Sequence, residues 1–415
     1  MVDSSMSSIL PYSKTLTLAD LFYYSEKDRM SKRKTEGKEE RKIDMLIDQI
    51  TEILLKLPTN SLLRFKCVSK SWYSTINGAP FVKLHFSKGA RGLIFNFGRA
   101  LVHVESSCAF DEAKKMDISI KGHASYQEYK VVSSCHGFLC VFMLNKKVEI
   151  RTLYVYNPVT KESMELPTLP FSLKSVGWIG FGIHPSTREC KVVVVTYLLY
   201  AEMHTLGTDS WRRIHMIESN IMCRVPFHPW ISVLPKPLTV LVNGVFHWIV
   251  TTTNQTKPIT IVSFDLGDEG FKVIPYPDDI CLEEKKPSLG VLGGCLSIFN
   301  FGSKMGTEVW VMKEYNVKRS WTKVYNIPWV VKKFNPCIFR PLCLWKKDEI
   351  IMAYEIDKVI CYNPMTGRVR SENIHCNGRS YKLRDYWNFD AINHVESIVS
   401  LDMITHAFES LSSVY

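Results

Sequence analysis

Residues 43–86 read IDMLIDQITEILLKLPTNSLLRFKCVSKSWYSTINGAPFVKLHF, and the rest of the chain is organised around this stretch. Ile43, Leu46, Ile47, Ile50, Ile53, Leu54 and Leu57 recur at steps of three and four, which lines one face of an amphipathic helix. Pro58 stops it, because the ring clashes with the preceding turn. Asn60 and Ser61 are the expected N-caps of a second helix carrying Leu62, Leu63 and Phe65. Ser69 is suited to cap a third with Trp72, Tyr73 and Ile76, and Asn77-Gly78 to a left-handed exit at its end. Three short helices cannot bury this much apolar surface among themselves. The spacing therefore leaves two readings open: a bundle packed on its own downstream domain, or a helical face offered to a partner groove.

The residue string discriminates between them. Glu52-Ile-Leu-Leu-Lys-Leu-Pro58, followed by Ser61-Leu-Leu-Arg-Phe-Lys-Cys-Val-Ser-Lys-Ser-Trp72, resembles the F-box, in particular its plant form. One departure is visible. F-boxes usually open on Leu-Pro seven residues before the Glu, where this chain has Met45-Leu46. The fixed helix start is thereby lost, so the first helix is expected to start earlier and adaptor affinity to be altered. The resemblance implies that Ile50, Ile53, Leu54, Leu57, Pro58, Leu62, Leu63, Cys67, Val68 and Trp72 include the adaptor-facing residues, some of them turned into the module's own core. Arg64, Lys66 and Lys70 form the expected polar rim.

Length and composition bound the remainder. A chain of 415 residues holds two to three domains, and 46% hydrophobic with 22% charged residues is ordinary for a soluble globular protein. The formal charge of +11 is spread along the chain. Residues 1–42 carry 9 Lys and Arg against 7 Asp and Glu, and residues 43–88 carry 6 against 3. No segment is strongly basic, so nucleic acid is not an expected partner and the excess reads as solubility and steering. The 12 cysteines include no Cys-x-x-Cys pair, which disfavours a zinc framework. Their apolar surroundings fit reduced, buried thiols of a cytoplasmic or nuclear protein. No signal-peptide core and no run of 18 apolar residues occurs, so no membrane association is expected.

Residues 1–42 combine a Ser-rich stretch with the mixed charge run SEKDRMSKRKTEGKEERK, a composition expected to be disordered. Lys32-Arg33-Lys34 fits a solvated charge run better than an import signal. Residues 89–130 read as a connecting region with the first β-strands.

From Val131 onward, short β-branched and aromatic runs alternate with turn residues. Three elements recur. Tyr156-Asn-Pro-Val-Thr160 is echoed by Tyr362-Asn-Pro-Met-Thr366 and more loosely by Phe264-Asp-Leu266. Strand–Gly–strand units occur around His136-Gly137, Asn243-Gly244 and Gly293-Gly294, with Asn243-Gly244 a strong hairpin signal. Ser210-Trp211 and Ser320-Trp321 each open a charged hairpin. Spacings of around 40–60 residues match a four-stranded propeller blade. This order resembles the F-box-associated, kelch-like β-propeller domain of plant F-box proteins. The pieces that carry the likeness are Ser134-Cys-His-Gly-Phe-Leu-Cys140, Tyr156 to Thr160, Gly180-Phe-Gly182, Lys191-Val-Val-Val194 and Asn243-Gly-Val-Phe-His-Trp248, with residues 386–401 as the closing strand. The expected architecture is an α+β multidomain chain: an all-α F-box over 43–88, then an all-β propeller over 131–405.

No catalytic constellation emerges. Gly-x-Ser-x-Gly, a phosphate loop, His-Glu-x-x-His and an EF-hand are all missing from the sequence. His103-x-Glu105 and His394-x-Glu396 lack the Pro-Cys-x-x-Cys that completes a deaminase zinc site. Cys135-His136 reads as structural, since neighbours on a strand face opposite ways. No cofactor or metal is expected. Trp211, Trp248, Trp310 and Trp321 read as blade core. Trp178, Trp230 and Trp329 sit in Gly- or Pro-flanked connections and are the candidate target contacts. The resemblance implies a non-catalytic substrate receptor of a Skp–cullin–F-box ubiquitin ligase, joining the Skp adaptor, and through it cullin, to an unidentified protein target. The alternative is a propeller scaffold outside any ligase.

Overall fold

The computed structural model describes residues 49–89, 91–96, 101–106, 110–118, 120, 128–145, 150–170, 176–196, 200–214, 239–251, 259–280, 287–301, 306–328, 340–345, 349–354, 358–376, 379–380 and 390–406. The chain divides into two compact units at Phe81/Val82.

In the first unit, residues 49–54 form helix α1 and give way to turns over 55–57. Helix α2 is Thr59–Phe65 and α3 is Lys70–Asn77. Ser69 caps α3 as its residue type predicts, its Oγ accepting from Trp72 N at 3.1 Å. Two local expectations are corrected. Pro58, with φ −60° and ψ 149°, occupies the N-cap of α2 without a side-chain bond, so Asn60 and Ser61 lie inside the helix. Proline's fixed φ suits this extended junction as well as it stops the helix before it. Gly78 is extended at φ −63°, ψ 137° rather than left-handed. It hands the chain straight to a fourth helix, α4 (Ala79–Lys88). Pro80 fits α4's first turn, where no backbone N–H is needed.

The second unit is a ring of six four-stranded antiparallel sheets. Blade 1 takes β1 (Arg91–Asn96), β2 (Leu101–Glu105) and β3 (Lys114–Met116). Blade 2 is β4 (Glu128–Cys135), β5 (Phe138–Asn145), β6 (Ile150–Tyr156) and β7 (Ser163–Glu165). Blade 3 is β8 (Val176–Ile183), β9 (Cys190–Thr196), β10 (Ala201–Thr205) and β11 (Arg212–Ile214). Blade 4 is β12 (Val240–Val242), β13 (Val245–Thr251), β14 (Ile259–Asp265) and β15 (Gly270–Ile274). Blade 5 is β16 (Ser288–Leu292), β17 (Cys295–Asn300), β18 (Thr307–Met312) and β19 (Trp321–Ile327). Blade 6 is β20 (Arg340–Trp345), β21 (Glu349–Tyr354), β22 (Lys358–Tyr362) and β23 (Val369–Asn373). A small hairpin of β24 (His375–Cys376) and β25 (Arg379–Ser380) follows.

β26 (Asp390–Val395) then returns to pair antiparallel with β1, Arg91 opposite Val395 and Asn96 opposite Asp390, and becomes the first strand of blade 1. The first strands form the inner ring: β26 lies against β4, β4 against β8, β12 against β16, β16 against β20, and β20 against β26. Closure removes the exposed edges an open array would present. The closing strand ends at Val395, short of the expected Leu401. Residues 396–400 run on without strand pairing and lead into helix α5 (Leu401–His406).

The core lies between blades. Trp178, Val193 and Met203 of blade 3 pack on Phe246, Trp248 and Phe264 of blade 4, and analogous clusters join blades 4 to 5, 5 to 6, 6 to 1 and 1 to 2. Gly180 and Gly182 are small for this reason. A Cβ at Gly180 would stand 2.8 Å from the Phe246 ring, and one at Gly182 would stand 2.7 Å from Leu266 Cδ1.

Antiparallel blades put the first-to-second and third-to-fourth connections at one end. That end carries the tight hairpins His136-Gly137, Asn243-Gly244 and Gly293-Gly294, all with positive φ. It also carries the recurrent side-chain turns. Asn157 Oδ1 accepts from Val159 N and Thr160 N, Asp265 Oδ1 from Gly267 N and Asp268 N, and Asn363 Oδ1 from Met365 N and Thr366 N. α4 feeds the start of β1 and residues 396–406 follow the end of β26, so both termini of the propeller lie at this turn end. At the other end the fourth strand of one blade ends and the first strand of the next begins, with 10 residues (166–175) to 25 (215–239) of chain between them.

Candidate functional site: an exposed apolar face on the helical module

The helical module sorts its apolar residues into two sets. Leu54, Leu62, Trp72 and Ile76 are buried, and Phe65 meets Trp72 edge to face at 5.2 Å. These form the module's own core. Ile50, Leu57 and Leu63 are half-buried, whereas Pro58 and Cys67 are exposed, the Cys67 thiol 3.9 Å from the Leu63 carbonyl. Ile53 is 53% exposed, Val68 42% and Tyr73 58%. The resemblance-based set of ten therefore divides, with Leu54, Leu62 and Trp72 turned inward.

Tyr73 is a residue the sequence pattern places on a helix but outside the adaptor set. Its neighbour Trp72 points into the core, and the 100° step between successive helical residues carries Tyr73 outward. Leu84 on α4, 45% exposed, is also absent from that set. Four of the seven large apolar side chains exposed among the described residues thus lie within residues 49–89. A folded chain gains nothing from leaving such side chains in water, so Ile53, Val68 and Tyr73 of the first unit are candidates for contact with a partner. The electrostatics are one-sided too: residues 49–89 carry Lys56, Arg64, Lys66, Lys70, Lys83 and Lys88 against Glu52. Such an excess of positive charge suits an acidic partner.

The propeller holds no comparable apolar surface among the described residues. Trp178, a candidate target contact, is corrected to a core residue. It lies on β8, is only 7% exposed and stacks on Trp248 at 5.6 Å and 27°. Gly180, which suggested an open connection, serves instead to admit Phe246. Trp230 and Trp329 lie outside the described residues. Trp248, Trp310 and Trp321 are buried as expected, whereas Trp211 is half-buried. Trp211 and Trp321 each tie a blade to the connection before it. Nε1 of Trp211 donates to Pro167 O at 2.7 Å, and Nε1 of Trp321 donates to Pro275 O at 2.8 Å.

Cys135 and His136 do not face opposite ways as strand neighbours would. The Sγ and Nδ1 atoms are 3.1 Å apart, because His136 leaves the strand at φ 49° and its side chain swings back. The electrostatics are nonetheless opposite to those of a reactive pair. Burial pushes the Cys135 thiol up to about 12, and burial with the nearby Arg188 pushes His136 down to about 4. Both groups stay neutral, whereas a nucleophilic thiolate needs a depressed pKa. His103 and His394 come together, rings 6.0 Å apart, with Glu396 beside His103. Among the described residues, no group of three or more His, Cys, Asp and Glu is arranged to hold a metal ion. Among them, too, no helix is long and apolar enough to cross a membrane.

Known proteins place this architecture. The F-box associated beta propeller domain family matches residues 92–398 and the F-box domain family residues 50–84. The chain is 29% identical over 373 residues to F-box protein At3g07870 of Arabidopsis thaliana, covering 79% of this chain and 87% of that one. It is 28% identical over 342 residues to F-box/kelch-repeat protein At3g23880 of the same plant, covering 78% and 88%. A solved structure, TolB from Acinetobacter baumannii, superposes with a TM-score of 0.43 at 11% identity over 79% of this chain and 71% of that one. With the six-bladed ring and the helical module both in place, the chain belongs to the F-box proteins with an F-box-associated β-propeller domain.

Proposed function

We propose that this protein is a non-catalytic substrate receptor of a Skp–cullin–F-box ubiquitin ligase, the role F-box proteins generally fill. The single observation that carries the reading is the exposure of Ile53, Val68 and Tyr73, three large apolar side chains of one small helical module. In this reading they bind a Skp-type adaptor and, through it, cullin. Covering three such side chains contributes about 1.5–3 kcal/mol each. That offsets the rigid-body cost of association, about 4–15 kcal/mol, only together with Ile50, Leu57, Leu63 and the basic rim.

The target is held by the propeller end opposite the one where both propeller termini lie. Support comes from the topology: there the fourth strand of one blade ends and the first strand of the next begins, with 10 to 25 residues of chain between them, and loops of variable length on a rigid scaffold are the usual carriers of specificity. Catalysis is by proximity, the receptor raising the effective concentration of a bound target near the conjugating enzyme.

Capture of the full chain on a panel of immobilised Skp adaptors tests the reading, with residues 89–415 as a comparison. Binding that is lost in an Ile53→Asp, Tyr73→Asp variant with unchanged propeller spectra supports it. A folded full chain that no adaptor retains overturns it, and leaves the propeller as a scaffold outside any ligase.

A further inference from the structure

The ring is closed where β26, the last strand, meets β1, and the seam between blades 1 and 2 contains two buried histidines. His394 of β26 sits opposite Gly92 and is 2% exposed. Its Nδ1 lies 3.0 Å from Ser134 Oγ on β4, while its Nε2 is buried without a partner among the described residues. His103 of β2, 4% exposed, stands at 85° to it with ring centroids 6.0 Å apart. Its Nδ1 is 4.0 Å from Glu396 Oε1, and its Nε2 is likewise unpartnered among the described residues. Nε2 crowds Gly92 so closely that a Cβ there would overlap it.

The charged groups around the two rings are unequal. His103 faces Glu396 on the segment after β26, Glu105 on its own strand and Lys114 on β3. The group acting on His394, besides the Ser134 hydroxyl, is His103 itself. Burial holds His103 below the ordinary histidine value too, but a proton there finds a carboxylate nearby, whereas a proton on His394 meets a neutral hydroxyl and a second imidazole in a desolvated seam.

We propose that His394 is the acid-sensitive element of ring closure: proton uptake on its imidazole releases β26 and residues 396–400 and opens blade 1 from blade 2. Desolvation holds His394 down to about 3 in the closed ring, below the ordinary histidine value. Once the strand is released, the imidazole returns to about 6.5. Between these values the open form binds one more proton than the closed form, so opening is favoured as pH falls and unaffected above about 6.5. Well below pH 6.5 the opening constant rises about tenfold per pH unit, and it is about 25-fold higher at pH 5 than at pH 7. The device rests on propeller closure alone and is independent of adaptor binding.

Amide hydrogen exchange of the full chain from pH 7 to pH 5, corrected for intrinsic rates, reads this directly. Residues 390–395 are expected to lose protection by about 25-fold between pH 7 and pH 5. β17 of blade 5, a blade without histidine, serves as the internal reference. His394→Asn, which keeps a polar group near Ser134 without titrating, is expected to abolish the difference. An equal pH slope in β26 and β17, or in wild type and variant, overturns the proposal. Should the variant fail to fold, the His394 imidazole is followed by NMR in the wild-type protein. A folded ring whose His394 titrates near 6.5 overturns it equally, and one still neutral at pH 5 with β26 opening selectively supports it.

Discussion

Replacing Asn157 by alanine tests how the propeller is held shut beyond its paired strands. The Asn157 amide is fully buried and uses all four of its hydrogen-bonding positions. Nδ2 donates to Ser397 O at 3.1 Å and Val399 O at 2.7 Å, and Oδ1 accepts from Val159 N at 2.8 Å and Thr160 N at 3.3 Å. The first pair fastens the segment after β26 across the turn end of blade 2. Glu162 adds to the fastening, its carboxylate accepting from Ser400 Oγ at 3.0 Å and Leu401 N at 2.7 Å. Gly137 makes room for it, since a Cβ there would overlap Ser397 Cβ. Truncating Asn157 leaves two buried carbonyls without partners, each costing about 1–3 kcal/mol, and loosens a turn. The expected loss is about 3–5 kcal/mol, a large share of the roughly 5–15 kcal/mol that holds a domain folded. Asn363 in blade 6 is the matched reference. It makes the same turn, accepting from Met365 N and Thr366 N at 3.0 Å, on a more exposed site. Asn363→Ala is expected to cost about 1 kcal/mol. Urea unfolding of both variants, followed by tryptophan fluorescence, gives the comparison. Equal midpoint shifts would refute the argument that the Ser397 and Val399 carbonyls, rather than the turn, make Asn157 costly.

Four further outcomes are expected. In the helical module, Leu54→Ala should destabilise by about 2–4 kcal/mol because Leu54 is core, whereas Ile53→Ala should leave stability unchanged within about 0.5 kcal/mol and weaken adaptor capture. Separate thermal melts and adaptor titrations resolve the two effects. Trp178→Ala should cost about 3–5 kcal/mol of propeller stability through the cavity left against Trp248, readable by denaturant titration. Gly180→Val, which drives a side chain into the Phe246 ring, should lower the melting temperature, while Gly293→Ala meets no atom within 4 Å and is strained only by its φ of 57°. Trp321→Phe should cost about 1 kcal/mol through the lost bond to Pro275 O, in addition to a small packing loss, measured in urea.

Much of this molecule is legible locally. The run from Glu52 to Trp72 identifies the F-box, the Ser69 cap follows from a single hydroxyl, and the Asn-Pro and Asn-Gly turns mark hairpins within the blades. Such features are determined within four or five residues, where backbone preference and short-range hydrogen bonding act. The candidate contact residues of the helical module are half legible: helical spacing separates apolar from polar positions but not the inward Leu54 and Trp72 from the outward Ile53, Val68 and Tyr73. The fourth helix escapes a sequence reading because glycine favours the left-handed conformation at a helix end, while the chain here keeps Gly78 extended.

By itself, then, the sequence determined the two kinds of unit, the turn chemistry and the repeated four-strand rhythm. Only the tertiary structure decided the number of blades, the closing pair β26 with β1, and the core position of Trp178. It alone brought His103 to His394 and Asn157 to Ser397 and Val399, residues more than 200 positions apart. The reason is physical: turns and helix ends are selected by neighbours along the chain, whereas burial depends on which distant strand arrives to exclude the water.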